Sequence, residues 1–363
     1  MSTITENTIE GCIYGMAVGD AWGHPTEFKT HEQILQSDAK RPKRLVITDD
    51  TQMSLYNTEA LKRLSTYKAG YLSDLATNSD KQDNVRKIFA EEHLKFQVDR
   101  DNNRAPGLTV MRALQDYRES VQVTGLEGSS LNNSRGCGTV MRAPWIGLFN
   151  ETRENIALLA ILQSETTHGD GQAAICSAIA ALAVRDLVNN ELLIDQPSAK
   201  GRLLAIEAYA KQTAEFVGNI CSTITESDSY KNDVKSFILD YLDSLYLETV
   251  NASEEDLNNP DFDICKIFGQ GWIANEALLC ALAAFAIHQD NSYEGIRRLV
   301  RTNGDSDSIA AIGGAFFGVA HGYSELYNKF YDDGGPIHGS FEHRYELELI
   351  DAIRFYRSLE HTV

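Results

Sequence analysis

The sequence predicts an all-α fold. Apolar residues recur at three- and four-residue spacing in segment after segment, the period of a helix that buries one face. Runs that alternate apolar and polar residues are few. No stretch follows the strand–helix–strand order of a parallel sheet.

Residues 8–18 form the first expected helix, with Ile9, Cys12, Ile13, Met16 and Ala17 on its apolar face. Gly11, Gly15, Gly19 and Gly23 recur every four residues along the same stripe. Each glycine costs a helix about 1 kcal/mol relative to alanine, so this stripe marks a place where another backbone packs close. The loop GDAWGHPTEF follows, then a basic connector at 40–44, then Leu45, Val46 and Ile47. A second helix is expected over 52–64, through Met53, Leu55, Tyr56, Ala60, Leu61 and Leu64. Residues 68–104 are polar and carry few signals, and a helix is expected at 108–117. The Gly/Ser/Asn-rich stretch GLEGSSLNNSRGCG reads as a loop leading into TVMRAPWIGLF. Helices are expected at 153–164 and, after the turn ETTHGD, at 172–187, where six alanines favour close packing. Residues 189–262 are mixed, with helical periodicity at 203–217 and 234–247 and a surface loop at NASEEDLNNPDFD. GQGWIANEALLCALAAFAIHQ reads as an apolar core helix, and 308–321 as another, with Gly314 and Gly318 one turn apart.

The chain has 363 residues, 43% of them hydrophobic, enough for a sizeable core, and no Pro-, Gly- or Ser-rich linker divides it. One domain over 9–363 is expected, preceded by a short segment, 1–8. Fifty-two acidic residues against 33 basic ones give a net charge of -19, which argues against nucleic acid or an anionic membrane as partner. Such a surface keeps a protein in solution and also suits a basic protein partner. None of the six cysteines forms a CxxC pair, and Cys176 and Cys280 sit among Ala, Ile and Leu like small core residues. A reducing compartment is expected. With no basic, apolar leader at residues 1–11 and no polar-free stretch of membrane-spanning length, the expected location is cytoplasmic.

Two acidic clusters bear the chemistry. Thr48, Asp49, Asp50 and Thr51 open one helix, and Asp305, Asp307 and Ser308 open another. The plain reading of each is an N-cap, since Thr, Ser and Asp are preferred there. A cap needs one carboxylate, whereas each cluster offers two with flanking hydroxyls. These hard oxygen donors suit magnesium or manganese, and four carboxylates brought together could hold two divalent ions. Asp99, Asp101 and Asn103 imitate the start of a calcium loop, but Arg104 and Val110 stand where that loop needs Gly and Glu. Gly136-Cys137-Gly138 and Gly269-Gln270-Gly271 are not dinucleotide fingerprints. They read as turns whose N–H groups could also face a phosphate. His168 and Glu27 say little alone, and no nucleophilic triad motif is present.

Taken in order, these motifs make the chain resemble the ADP-ribosylglycohydrolase family, which includes the dinitrogenase reductase-activating glycohydrolases. GCIYGMAVGDAWGHPTEF is similar to that family's opening segment, ITDDTQM to its T-D-D-T element, SRGCGTVMRAPWIGL to its G-x-G-x-x-M-R-x-x-P loop, and TTHGD to its T-H-x-D turn. GQGWIANEAL and NGDSDSIAAIGGAFFGVAHG resemble its two closing helices. The resemblance implies a compact all-α bundle around two divalent cations, Mg2+ or Mn2+, held by Thr48, Asp49, Asp50, Asp305, Asp307 and Ser308. Ser308 stands where the family more often has Thr, which keeps the hydroxyl. Arg135 stands where Asn is frequent.

By the same resemblance the activity is hydrolysis of the bond joining ADP-ribose to a protein side chain, most directly arginine. Asp50 and Glu27 would move protons and position water. The loop through Gly136, Cys137, Gly138, Thr139 and Met141 would hold the diphosphate, with His168 near the ADP-ribose. The expected partner is an ADP-ribosylated protein. An alternative is a protein that blocks an ADP-ribosyltransferase toxin, suggested by the acidic surface and by residues 1–8.

Overall fold

The computed structural model describes residues 4–37, 40–124, 132–192, 194–224 and 229–359. Sixteen α-helices run through them in the order α1 (Glu6–Gly23), α2 (His31–Gln36), α3 (Asp49–Ser65), α4 (Ser79–Gln97), α5 (Leu108–Thr124) and α6 (Arg153–Ser164). Then come α7 (Gly171–Val188), α8 (Ala199–Ile224), α9 (Ser229–Ser236), α10 (Asp243–Asn251) and α11 (Glu254–Asn258). The last five are α12 (Cys265–Phe268), α13 (Ala274–Ile287), α14 (Ser292–Leu299), α15 (Ser306–Gly334) and α16 (His343–Ser358). No strand occurs among the described residues, only two isolated bridges, Leu45 with Phe341 and Gly136 with Ile273. The all-α expectation holds.

Several elements exceed their expected bounds. Thr5 caps α1 by accepting from the Thr8 N–H, so the helix starts at Glu6 and runs to Gly23. Within 68–104 lies α4, capped by Asn78, with Val85, Ile88, Phe89 and Phe96 buried. Its charged exposed face hid that stripe from a reading by periodicity. The expected loop NASEEDLNNPDFD contains α11, capped by Ser253. Most of GLEGSSLNN falls at 125–131, outside the described residues.

The core is built around α7, which packs against α6, α8, α13 and α15. This helix is long and apolar enough to cross a membrane, yet 89% of it is buried inside the protein, and Gln172, Ser177 and Asp186 are buried with it. Its alanines let the neighbours approach, as the alanine-rich α13 does from the other side.

The glycine stripe of α1 decides where the site forms. A Cβ at Gly15 would lie 2.2 Å from the Gly314 carbonyl oxygen, and one at Gly11 2.1 Å from that of Gly318. The pairing continues from Gly19 to Ala310 and from Gly23 to Asp307. Rising numbers on α1 meet falling numbers on α15, so the two helices run antiparallel with backbones in contact. The end of α1 therefore abuts the start of α15. Gly322, at φ 74°, breaks α15, and Asn7 Oδ1 accepts from the Ser324 N–H beyond the break (2.9 Å).

Candidate metal centre and its cavity

Three chain segments converge at this junction. The first is the end of α1 and the turn after it, carrying Asp20, His24 and Glu27. The second and third are the starts of α3 and α15. Both acidic clusters do cap their helices. Thr48 Oγ1 accepts from the Asp50 N–H at 3.4 Å, and Asp305 Oδ1 from the Ser308 N–H at 3.4 Å. The caps leave carboxylate oxygens over, and these face one another. Ser308 Oγ donates to Asp50 Oδ1 at 3.2 Å, joining clusters 258 positions apart.

Asp20 sets the first cluster in place. Its side chain is fully buried. Oδ1 accepts from Thr48 N (3.0 Å) and Thr48 Oγ1 (2.8 Å), and Oδ2 from Thr51 N (3.1 Å) and Thr51 Oγ1 (2.5 Å). Those bonds fix the turn that presents Asp49 and Asp50. Nothing in the sequence pattern marks Asp20 as a support for that turn beyond its place in the GDA segment, next to the glycine stripe.

The centre is strongly electronegative. Asp49, Asp50, Asp305 and Asp307 are 6%, 2%, 4% and 4% exposed. Burial pushes all four carboxyl groups above the usual carboxylate range, and at Asp50 and Asp307 the neighbouring carboxylates push further. Cys137 Sγ donates to Asp305 Oδ2 at 2.8 Å, and burial followed by Asp305 raises its thiol well above the ordinary value. Asp50 Oδ2 is buried with no hydrogen-bond partner. A buried, unpaired anionic oxygen is costly unless a cation meets it. Hard donors, like charges at close range and this orphaned atom together fit a divalent cation. Asp307 belongs to two groups whose candidate ligand atoms all lie within 4.8 Å of one another, Asp20–Asp50–Asp307 and His24–Glu27–Asp307.

These side chains floor a cavity of about 390 Å³. Glu27, Asp49, Asp50, Asp305, Asp307, Ser308, Gly136, Cys137, Gly138, Met141 and His168 all line it. Two residues expected here do not. Thr48 is fully buried with its hydroxyl committed to Asp20, and Thr139 donates its hydroxyl to Ala173 O in α7 at 3.3 Å. The loop's backbone is also less available than expected. The N–H groups of Gly136, Cys137, Val140 and Met141 already donate to Ser134 Oγ, Trp272 O and, for the last two, Cys137 O. That leaves Gly138, which lines the cavity, as the residue of this loop whose N–H can face a ligand.

His168 is buried against Gly136 and Gly138, where a Cβ on either glycine would come within 3.1 Å of its ring. Burial, then the nearby Arg142, lowers its pKa to about 3, so the ring is neutral and supports the loop from behind. Arg135 turns away from the cavity to a forked pairing with Asp170 (3.2 Å to each oxygen) and to Tyr241 OH (3.0 Å). At the cavity's edge Phe28, held at φ 62°, stacks on Trp272 with ring centroids 5.2 Å apart. No local pattern marked that pair. A larger cavity of about 590 Å³, lined by Thr8, Leu187, Phe285 and Val319, contains none of these groups.

A family model described as ADP-ribosylglycohydrolase matches residues 1–339. The uncharacterised protein YegU of Escherichia coli (strain K12) is 24% identical over 339 residues, covering 88% of this chain and 89% of its own. A solved structure described as an ADP-ribosylglycohydrolase-related protein complex superposes with a TM-score of 0.55 at 20% identity over 98% of each chain, a likeness of fold.

Proposed function

Because the chain belongs to the ADP-ribosylglycohydrolase family, we propose that it cleaves the N-glycosidic bond between ADP-ribose and an arginine side chain of a modified protein. Glycohydrolase chemistry on ADP-ribosylated substrates is what the family does. The acceptor, the metal dependence and the residue roles are our own reading. One observation carries it: four buried carboxylates face one cavity, and one of their oxygens has no partner.

Asp49, Asp50, Asp305 and Asp307, with Ser308, would hold two divalent cations, magnesium or manganese, while Thr48 braces the first pair through Asp20. Bound there, such ions neutralise the carboxylates and polarise the oxygens of a bound ribose. As the arginine nitrogen leaves ribose C1″, positive charge spreads over C1″ and the ring oxygen. The donor groups of the floor hold the ribose with little reorganisation to undergo, since the turn at Asp20 fixes Asp49 and Asp50 in advance. Glu27, which lines the wall beside Asp307, would accept the proton of the water that adds to C1″. The Gly138 N–H would receive the diphosphate, with neutral His168 keeping its turn in shape.

The test is release of ADP-ribose from arginine-modified and serine-modified protein, with Mg2+, with Mn2+ and with EDTA. Release from the arginine substrate with metal, abolished by EDTA, is expected. Asp50→Ala and Asp305→Ala should each abolish it while circular dichroism reports an intact helical fold. Undiminished release in chelator, or retained activity in both variants, would refute the reading.

A further inference from the structure

His24 stands apart from the oxygen donors around it. It follows α1 directly, and Gly23 before it has no side chain to hold the helix off Asp307, whose Cα lies 2.5 Å from where that Cβ would be. Pro25 and Thr26 tie down the short turn, Thr26 Oγ1 lying 2.7 Å from both Gly23 O and Val300 O. The imidazole is thereby fixed beside the second group of candidate ligand atoms. Its Nδ1 is 3.8 Å from Glu27 Oε2 and 3.9 Å from Asp307 Oδ2. Those distances are too long for hydrogen bonds. The Nδ1 atom is buried and makes no hydrogen bond, although the ring is 39% exposed, and Asp50 Oδ2, on a side chain 2% exposed, likewise makes none.

The spacing suits a shared ion better than a shared proton. Ligands about 2.1 Å from an octahedral cation stand about 3.0 Å apart when adjacent and about 4.2 Å when opposite. The His24 separations, 3.8 and 3.9 Å, match neither arrangement as they stand but lie within the reach of a shared cation. Nothing in the glycohydrolase reading calls for a nitrogen here. We propose that His24 Nδ1, with Glu27 Oε2 and Asp307 Oδ2, is a ligand of one of the two cations, Glu27 Oε1 staying free to take a proton, which makes that position a mixed nitrogen–oxygen site selective for a transition divalent ion over magnesium. This rests on the metal centre proposed above and goes beyond it. Imidazole adds little affinity for magnesium, which keeps to oxygen, and progressively more along manganese, iron and cobalt.

Metal-stripped full-length protein is to be titrated with Mn2+ and, separately, Mg2+ by calorimetry, as wild type and as His24→Ala. Pulsed electron paramagnetic resonance of the Mn2+-loaded wild type then asks whether a nitrogen is bound. His24→Ala should weaken one class of Mn2+ sites by at least about tenfold, since even outer-shell partners of ligands are worth that much. Magnesium affinity should stay unchanged. The wild-type resonance should show nitrogen coupling that the variant lacks, and that readout does not depend on how well the variant folds. Mn2+ binding without nitrogen coupling, or equal loss for both ions, overturns the role of His24 and leaves the oxygen-held centre standing. No Mn2+ binding by the wild type overturns both.

Discussion

Asp99 and Asp101 show how a few atoms of context override a local pattern. The stretch that imitates a calcium loop is occupied by Arg344, whose Nη1 donates to Asp99 Oδ1 at 2.7 Å and to Asp101 Oδ2 at 2.8 Å, with Nη2 on Asp99 Oδ2 at 2.5 Å. Tyr56 OH adds a fourth bond, to Asp99 Oδ2, at 2.6 Å. Arg344 first, then Tyr56, holds the Asp99 carboxyl well below the usual range. Removing the guanidinium with Arg344→Met is expected to cost about 1–3 kcal/mol at neutral pH, measured by urea unfolding. The sign of the pH dependence follows from the depressed native pKa. The pair's contribution is complete above the unfolded value of about 3.9 and is lost as pH falls through the native one. Wild type and variant should therefore differ fully at pH 7 and converge in acid. The same logic separates Asp20 from the other buried carboxylates. Its four donor groups satisfy it, whereas Asp50 Oδ2 has none.

At the scale of elements, the α1–α15 pair does what neither helix could do alone. Stacked glycines let two backbones touch, and that contact carries Asp20 and His24 to the start of α15. In isolation, Gly15→Ala should favour a helix by about 1 kcal/mol. Here the new methyl would sit 2.2 Å from Gly314 O, against backbone that has no side chain to move aside. Overpacking of this kind costs about 1–3 kcal/mol or more, so a net loss of stability is expected despite the better propensity. Thermal unfolding of Gly15→Ala checks it. A variant as stable as wild type would show that α1 and α15 slide apart without penalty.

For the molecule as a whole, electrostatics favour a bound cation twice over. A net charge of -19 raises the local concentration of positive ions, and the centre concentrates four buried carboxylates in one cavity. A divalent ion that binds only the folded chain should stabilise it by about 2.7 kcal/mol at 100 times its dissociation constant. The melting midpoint should rise on adding Mn2+ to chelated protein, and Asp50→Ala should lose most of the rise. An unchanged midpoint in wild type would argue against a structural cation here. The sequence alone determined the all-α class, because apolar residues recur at helical spacing in most segments, while α7 and α13 are apolar and buried on nearly every side. It also marked the glycine stripe and the donor chemistry of Asp49, Asp50, Asp305 and Asp307, which are intrinsic to residue type and spacing. Charged exposed faces concealed α4 and α11. Only the tertiary structure decided that Ser308 meets Asp50, that Asp20 braces the first cluster, that Arg135 turns to Asp170 and that His24 joins Glu27 and Asp307. Each of these depends on how whole helices pack, and contacts between distant positions leave no periodic trace in the residues that make them.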